Sequence, residues 1–192
     1  MPNIERHPLK PFLPSSAKVL MLGSFPPPRA RWSMDFFYPN FINDMWRILG
    51  LVFYANKNQF VIANERRFDY ETVVRFCTET GVAIFDTAST VRRLKDNASD
   101  KFLEIVEPTD LAVLLRQIPD CHTIVTTGEK ATDTIVSRYG CTKPQVGSFS
   151  PLSICGRGYR FFRMPSSSRA YPLALDKKAD AYMAMFKSIG ML

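Results

Sequence analysis

Two histidines and four scattered cysteines leave this chain little from which to build a metal centre. Cys77, Cys121, Cys141 and Cys155 contain no CxxC pair, and His7 and His122 add no ligand pattern to them. Free, buried thiols in a reducing compartment are the expectation, without metal or other cofactor. No apolar run comes near the ~20 residues a membrane span needs. The stretch 1–16 carries Arg6, Lys10 and several prolines in place of the apolar core of a signal peptide, so it reads as part of a cytoplasmic protein. No glycine-rich phosphate fingerprint follows any predicted strand, and no repeat, low-complexity tract or linker interrupts the chain. These absences argue against a nucleotide-cofactor enzyme, a membrane protein and a repeat array.

What the chain does have is positive charge. Lys and Arg total 25 against 18 Asp and Glu, a net charge of +7 with a pI near 9.4. That balance favours a polyanionic partner such as a nucleic acid. The length, 192 residues with 46% hydrophobic, suits one domain over 1–192 with a substantial core.

One stretch organises the rest. Val19-Leu20-Met21-Leu22 is short and wholly apolar, as a buried strand is. It breaks on Gly23-Ser24-Phe25-Pro26-Pro27-Pro28, which fits neither a helix nor a sheet interior. A basic and aromatic loop follows, with Arg29, Arg31, Trp32, Phe36, Phe37 and Tyr38. Phe41 to Leu49 then reads as a helix, capped by Asn40 and stopped by Gly50.

The same unit recurs. Asp69 caps a helix carrying Val73, Val74 and Phe76, which Gly81 ends; Val82 to Phe85 is a second buried strand, ending on Asp86-Thr87-Ala88-Ser89. A charged loop runs from Arg92 to Lys101, and Phe102 to Val106 reads as a short strand or helix. Thr109 caps a helix with Leu111, Leu114, Leu115 and Ile118 at helical spacing. His122 to Thr126 is a third strand, Glu129 to Tyr139 a helix stopped by Gly140, and Cys141 to Gly158 a loop. Tyr159 to Met164 is a fourth strand, cut off by Pro165-Ser166-Ser167-Ser168-Arg169. A last helix from about Pro172 places Leu175, Ala179, Tyr182, Met183, Phe186 and Ile189 on one side. Strands alternating with helices imply parallel pairing through right-handed crossovers. The expected fold is a three-layer α/β/α sandwich around a central four-stranded parallel sheet.

Parallel strands end on one edge, where open α/β sheets bind ligands. That edge gathers Gly23 to Pro28, Asp86 to Ser89, Thr127-Gly128 and Pro165 to Arg169, with Arg29, Arg31, Arg92, Arg93 and Arg169 nearby. Arginines interleaved with aromatic rings suit a stacked base beside a phosphate backbone. Both histidines are placed off that edge, so no Ser–His–Asp or Cys–His pair is suggested.

These segments carry a resemblance. Gly23-Ser24-Phe25-Pro26 resembles the first motif of the uracil-DNA glycosylase superfamily. Phe37 to Leu49 is similar to the aromatic loop and Asn-x-Phe-Trp helix of its mismatch-specific and hypoxanthine-DNA glycosylase branches. Gly81 to Thr87 resembles that branch's second strand, and Met164-Pro165-Ser166-Ser167-Ser168 the Pro-Ser-x-Ser segment that closes the superfamily's site. The four motifs fall in order between about residues 18 and 190.

The departures are specific. Phe25 stands where many members have an Asn or Asp that positions the hydrolytic water, and Met164 where a His or Asn contacts the base. Phe41 and Met45 replace the usual Pro and Phe of the helix motif. The hypoxanthine branch also lacks the first-motif amide or carboxylate and relies on the helix Asn, here Asn43.

The resemblance implies a monomeric, metal-independent DNA N-glycosylase of base excision repair. It would hydrolyse the glycosidic bond of uracil or hypoxanthine flipped out of DNA. The alternative is a nucleic-acid or nucleotide binder that keeps the fold without the chemistry. On the first reading Asn43 is the catalytic polar group, aided by Ser24 and the backbone amides of residues 24–26. Phe25, Phe37, Tyr38 and Asp86 form the base pocket. Arg29, Arg31, Pro165, Ser166, Ser167, Ser168 and Arg169 face the DNA. By residue chemistry alone Asn43 better suits a first-turn Asn bonding its own helix, and Asp86 equally suits a turn cap. The Ser166–Ser168 segment equally suits an ordinary turn before a helix.

Overall fold

A computed structural model describes residues 4–94 and 100–192. The expected charged loop lies partly outside them, at 95–99. Four parallel strands form the centre of the molecule: β2 (Val19–Gly23), β3 (Val82–Asp86), β6 (Thr123–Thr127) and β8 (Arg157–Met164). They lie in the order β3-β2-β6-β8, and every residue of β2, β3 and β6 is buried. Burial along a whole strand means both faces are covered, which is why these runs are continuously apolar instead of alternating.

Two features of the sheet differ from the sequence expectation. A fifth strand, β7 (Ser148–Ile154), pairs antiparallel with β8 at the edge, inside what reads as a loop. Its Pro151 and three serines obscure it in sequence, while its burial alternates as a one-sided edge strand requires. The second feature is a separate antiparallel sheet of β1 (Ile4–Arg6), β4 (Ala88–Arg93) and β5 (Leu103–Pro108), in the order β1-β4-β5. Only Thr87 separates the end of β3 from the start of β4, so the turn predicted at Ala88-Ser89 is already strand. A small apolar cluster of Phe25, Ala88, Val91 and Leu103 fills the junction between the sheets.

Five helices accompany the strands: α1 (Met45–Tyr54), α2 (Tyr70–Thr80), α3 (Leu111–Gln117), α4 (Glu129–Tyr139) and α5 (Leu175–Ser188). Helix α1 packs on α5, α2 on β3, and α4 on β6 and β7. Asp69 caps α2 as expected, its carboxylate accepting from the Thr72 N–H, and Gly81 and Gly140 end α2 and α4 in left-handed conformations. The cap of α3 is Asp110, not Thr109. No helix among the described residues is long and apolar enough to cross a membrane. Cys77 and Cys121 are buried free thiols, whereas Cys141 is half-buried and Cys155 is exposed in the β7–β8 turn.

Helix α1 begins four residues later than its sequence suggests and runs through Gly50 to Tyr54. Gly50 is therefore not a stop. A Cβ there would collide with the Asn56 carbonyl, because the chain folds back over the helix, with Asn56 N–H donating to the Gly50 carbonyl. Close approach, not helix termination, demands the glycine.

Two outcomes follow from these local geometries. Gly50→Ala would ordinarily gain about 1 kcal/mol in a helix interior. Here the collision with backbone reverses the sign, and a net loss of about 1–3 kcal/mol is expected in urea denaturation. Hydrogen bonds from the Thr72 N–H and hydroxyl hold the Asp69 carboxyl below its ordinary pKa. Its stabilisation is thus complete above the unfolded value and lost as pH falls through the folded one. Asp69→Ala should cost about 1 kcal/mol at neutral pH, and the gap from wild type should close as the pH is lowered from about 4.

Candidate active site

The strand ends converge as the parallel order requires. Gly23 is in register with Asp86, and Thr127 with Met164. Above them opens a cavity of about 640 Å³, whose wall includes Ser24, Phe25, Arg31, Phe37, Tyr38, Asn43, Asp86, Thr127, the three serines Ser166 to Ser168, and Arg169. Eleven of the thirteen residues singled out in sequence therefore meet at one place; Arg29 and Pro165 do not.

Asp86 is the buried carboxylate of the cavity wall. It lies so close to β2 that a Cβ on Gly23 would strike its Oδ1, so the first residue after the apolar run has to be glycine. The Asp86 backbone is fixed from the other side by the Thr109 hydroxyl, which donates to its carbonyl at 2.7 Å, and Thr87 N–H donates to the Gly23 carbonyl at 2.9 Å. Asp86 caps no turn with its side chain. Its Oδ2 instead accepts from His7 Nε2 at 2.9 Å. His7 thus reaches the site edge, contrary to its placement from sequence. The antiparallel sheet that carries it there has no counterpart in the strand–helix alternation of the rest of the chain.

Tyr38 closes the wall beside Asp86. Its backbone is left-handed (φ 49°), and its hydroxyl is 2.8 Å from the Thr127 hydroxyl. A tyrosine held in that region of φ costs energy that the surrounding packing has to supply. Burial first, and then the Asp86 charge, raise its pKa far above that of a free phenol, so it serves as a neutral hydroxyl. Phe25 and Phe37 are buried, with Phe37 part of the main core; each presents only an edge of its surface to the cavity.

Asp100 also lines the cavity, and sequence reasoning did not single it out. Burial, then the nearby Asp86 charge, push its carboxyl up, while a hydrogen bond from Ser24 opposes them. Because Pro26, Pro27 and Pro28 have no N–H, the backbone donors available in the first loop reduce to Ser24 and Phe25.

The other wall is the approach to α1. Asn43 Oδ1 accepts from the Met45 N–H at 2.9 Å, so Asn43, not Asn40, closes the start of the helix. Asn40 makes its own turn through the Ile42 N–H. Arg47 is buried, stacks on Phe41 and Phe68, and donates to the Phe41 and Asn43 carbonyls, which fixes the turn that carries Asn43. With Oδ1 engaged, the Asn43 amide has its Nδ2 donors left for the cavity.

Asp44, next to it, is the hub of a second network. Its carboxylate takes Arg169 Nε at 3.0 Å and Lys178 Nζ at 3.3 Å, Lys178 also donates to the Ser168 carbonyl at 2.8 Å, and Asp44 N–H donates to the Ser167 carbonyl. These bonds clamp the serine loop to α1 and α5. Lys178 is 1% exposed. The available signal was its position on α5, three residues after Leu175 and four before Tyr182, on the apolar side of that helix.

The arginines divide. Arg31 is exposed at the rim, and Arg169 is half-exposed with one edge of its guanidinium on Asp44. Arg29 pairs with Asp35, stacks on Trp32 at 4.2 Å and lines a neighbouring cavity. Arg92 pairs with Glu104, and the buried Arg93 binds Glu5 and the Pro26 carbonyl, so both stabilise the small sheet instead of facing a ligand. Pro165 lines an adjoining cavity and accepts the Tyr182 hydroxyl through its carbonyl. Lys101, unremarked in sequence, stands at the rim.

No protein-family model matches the sequence, and a search of curated proteins finds no relative. Among solved structures, the chain is similar to a protein of Methanosarcina acetivorans proposed to be a uracil DNA glycosylase, at 19% identity over 97% of this chain and 99% of that one, with a TM-score of 0.65. The chain therefore has the mixed α/β, parallel-sheet fold of that protein.

Proposed function

We propose that the protein is a DNA N-glycosylase that hydrolyses the bond between a deaminated base, uracil or hypoxanthine, and its sugar. The observation that carries this reading is the cavity at the strand ends, with a buried acceptor, Asp86, and a helix-anchored amide, Asn43, both on its wall and basic residues at its rim. Its volume is that of a small-molecule pocket, and a base can enter it only after leaving the duplex stack. The fold shared with the Methanosarcina protein agrees with this reading.

In this mechanism the C1′–N bond breaks with its electron pair moving to the base, leaving an oxocarbenium-like sugar. Water adds at C1′ and gives up a proton, which ends on the departing base through solvent, so the products are the neutral base and the sugar hydroxyl. Asp86, acceptor-only when ionised, orients that water and offsets the charge on the sugar. The Nδ2 group of Asn43 donates to the base oxygen on which negative charge grows. Tyr38 stays a neutral phenol and bounds the pocket. The clamp of Asp44, Lys178 and Arg169 holds the serine loop where a phosphate backbone would pass, with Arg31 beside it.

A second reading is a nucleic-acid binder without chemistry. It is favoured by Phe25, which packs edge-on against His7 at 5.2 Å, and by Met164, 1% exposed in the core, where a glycosylase would gain from polar groups. The two separate on duplex DNA holding one deoxyuridine or deoxyinosine, without added metal. Release of free base supports the enzyme; salt-dependent binding without release supports the binder.

Asn43→Asp keeps the acceptor that closes α1 and removes the donor. It should lower the single-turnover rate about 10²–10³-fold, as for loss of one preorganised donor, with little change in melting temperature. An equal rate removes Asn43 from the chemistry. Arg31→Ala should reduce the slope of log K against log salt by about 0.9, one phosphate contact, and weaken all sequences alike. An unchanged slope removes Arg31 from the DNA path.

A further inference from the structure

His7 is a buried group beside the cavity that the scheme above leaves without a task. Its side chain is 4% exposed. Three aromatic rings enclose it: Phe85 at 4.5 Å, Phe25 at 5.2 Å and Phe37 at 6.0 Å between centroids. Its polar partners are two. Nε2 donates to Asp86 Oδ2, and Nδ1 meets the backbone of Leu9, 2.9 Å from its carbonyl and 3.1 Å from its N–H, donating to the one or accepting from the other according to tautomer. Both ring nitrogens are satisfied, so the ring cannot turn without losing a bond on each side.

Much of the small sheet serves to hold this ring. Strand β1 pairs with β4 from Ile4 to Arg6, and the His7 N–H donates to the Ser89 carbonyl at 2.8 Å. Glu5, two residues away, takes a two-bond contact from Arg93, which also donates to the Pro26 carbonyl of the first loop. Strand, ion pair and loop thus fix His7 against the back of Asp86, while His7 itself is absent from the cavity wall.

We infer that His7 is a positioning residue for Asp86: by donating to Oδ2 from behind, it fixes the carboxylate so that Oδ1 serves the cavity. The inference rests on the glycosylase reading and assigns the segment before the first parallel strand a direct part in it. A carboxylate free to rotate would present its acceptor to the water in only part of its population, and it would face three aromatic rings with one oxygen unpaired. The arrangement has the logic of an orienting partner behind a catalytic group, with the carboxylate here in the front position.

The test measures single-turnover release of uracil or hypoxanthine from duplexes holding one such base, the binding of an abasic-analogue duplex, and melting temperature. His7→Leu keeps an apolar volume and removes the donor. It should slow release about 10²-fold, in the range of lost acid–base assistance, with affinity for the abasic duplex altered less than about threefold. His7→Gln places an amide nitrogen near the Nε2 position and should recover most of the rate. In a double-mutant cycle, the protein carrying both His7→Leu and Asp86→Asn should be no slower than the slower of the two single variants. If His7→Leu does not fold, His7→Asn, whose amide reaches only the Nδ1 position, replaces it against His7→Gln.

Equal rates for wild type and His7→Leu overturn the inference. So does a His7→Gln as slow as His7→Leu, since the packing and not the donated bond would then matter. Additive effects of His7→Leu and Asp86→Asn overturn it as well. Wild type that releases no base from either duplex overturns the glycosylase reading and the inference with it, an outcome distinct from an active wild type indifferent to His7.

Discussion

A carboxylate has to be kept out of water, yet usable, at the end of a parallel sheet, and much of the structure is arranged around that constraint. Burying an ionised group costs several kcal/mol unless its lone pairs are met. Asp86 is met by His7, and its backbone is pinned by Thr109 and by the turn that hydrogen-bonds Gly23. Gly23 then has to be glycine, because the carboxylate occupies the space of its Cβ. Tyr38 takes a left-handed backbone beside the same group. Each of these local oddities is costly alone, and each has Asp86 at its centre or next to it.

The opposite wall solves a different problem. The serine loop after β8 is without regular structure, so only contacts with other elements can hold it in one place. The chain supplies rigidity with a second buried charge cluster, in which Asp44 joins Arg169, Lys178 and the loop carbonyls. Lys178 reaches this cluster from α5, which packs on α1, so two helices and a loop are locked at one point. Buried ion pairs contribute little net stability compared with an apolar cluster but impose a single arrangement when fully bonded. The same two-helix contact positions Asn43 one residue away from Asp44.

Charge reads differently in three dimensions than along the chain. The net charge of +7 points to an anionic partner, but arginines that are neighbours in sequence go to different tasks. Arg92 and Arg93 bind Glu104 and Glu5 within the small sheet, Arg29 binds Asp35, and Arg47 stacks on phenylalanines inside the core. Arg31, Arg169 and Lys101 remain at the rim of the cavity. Pairing, not proximity in sequence, decides which cation can meet a phosphate.

The sequence by itself determined the four parallel strands, four of the five helices close to their limits, and the loops that meet at the sheet edge. Those features are written locally: continuous apolar runs, Asp69 before a helix, Gly81 and Gly140 after one. Where the elements lie in the chain decides which ends converge, so Asn43, Tyr38, Asp86 and Ser166 were legible as one site. Tertiary structure alone decided the rest. The small sheet is built from three-residue to six-residue strands, its first strand reaches the second across more than eighty residues, and no local period announces such pairing. Gly50 looks like a stop because the fold-back of the chain at Asn56, just past the helix, leaves no mark on the residues beside the glycine. His7 and Lys178 acquire their partners from segments 79 and 134 residues away. A charged or imidazole side chain in sequence carries its chemistry but not its counter-group, and only the folded chain supplies that.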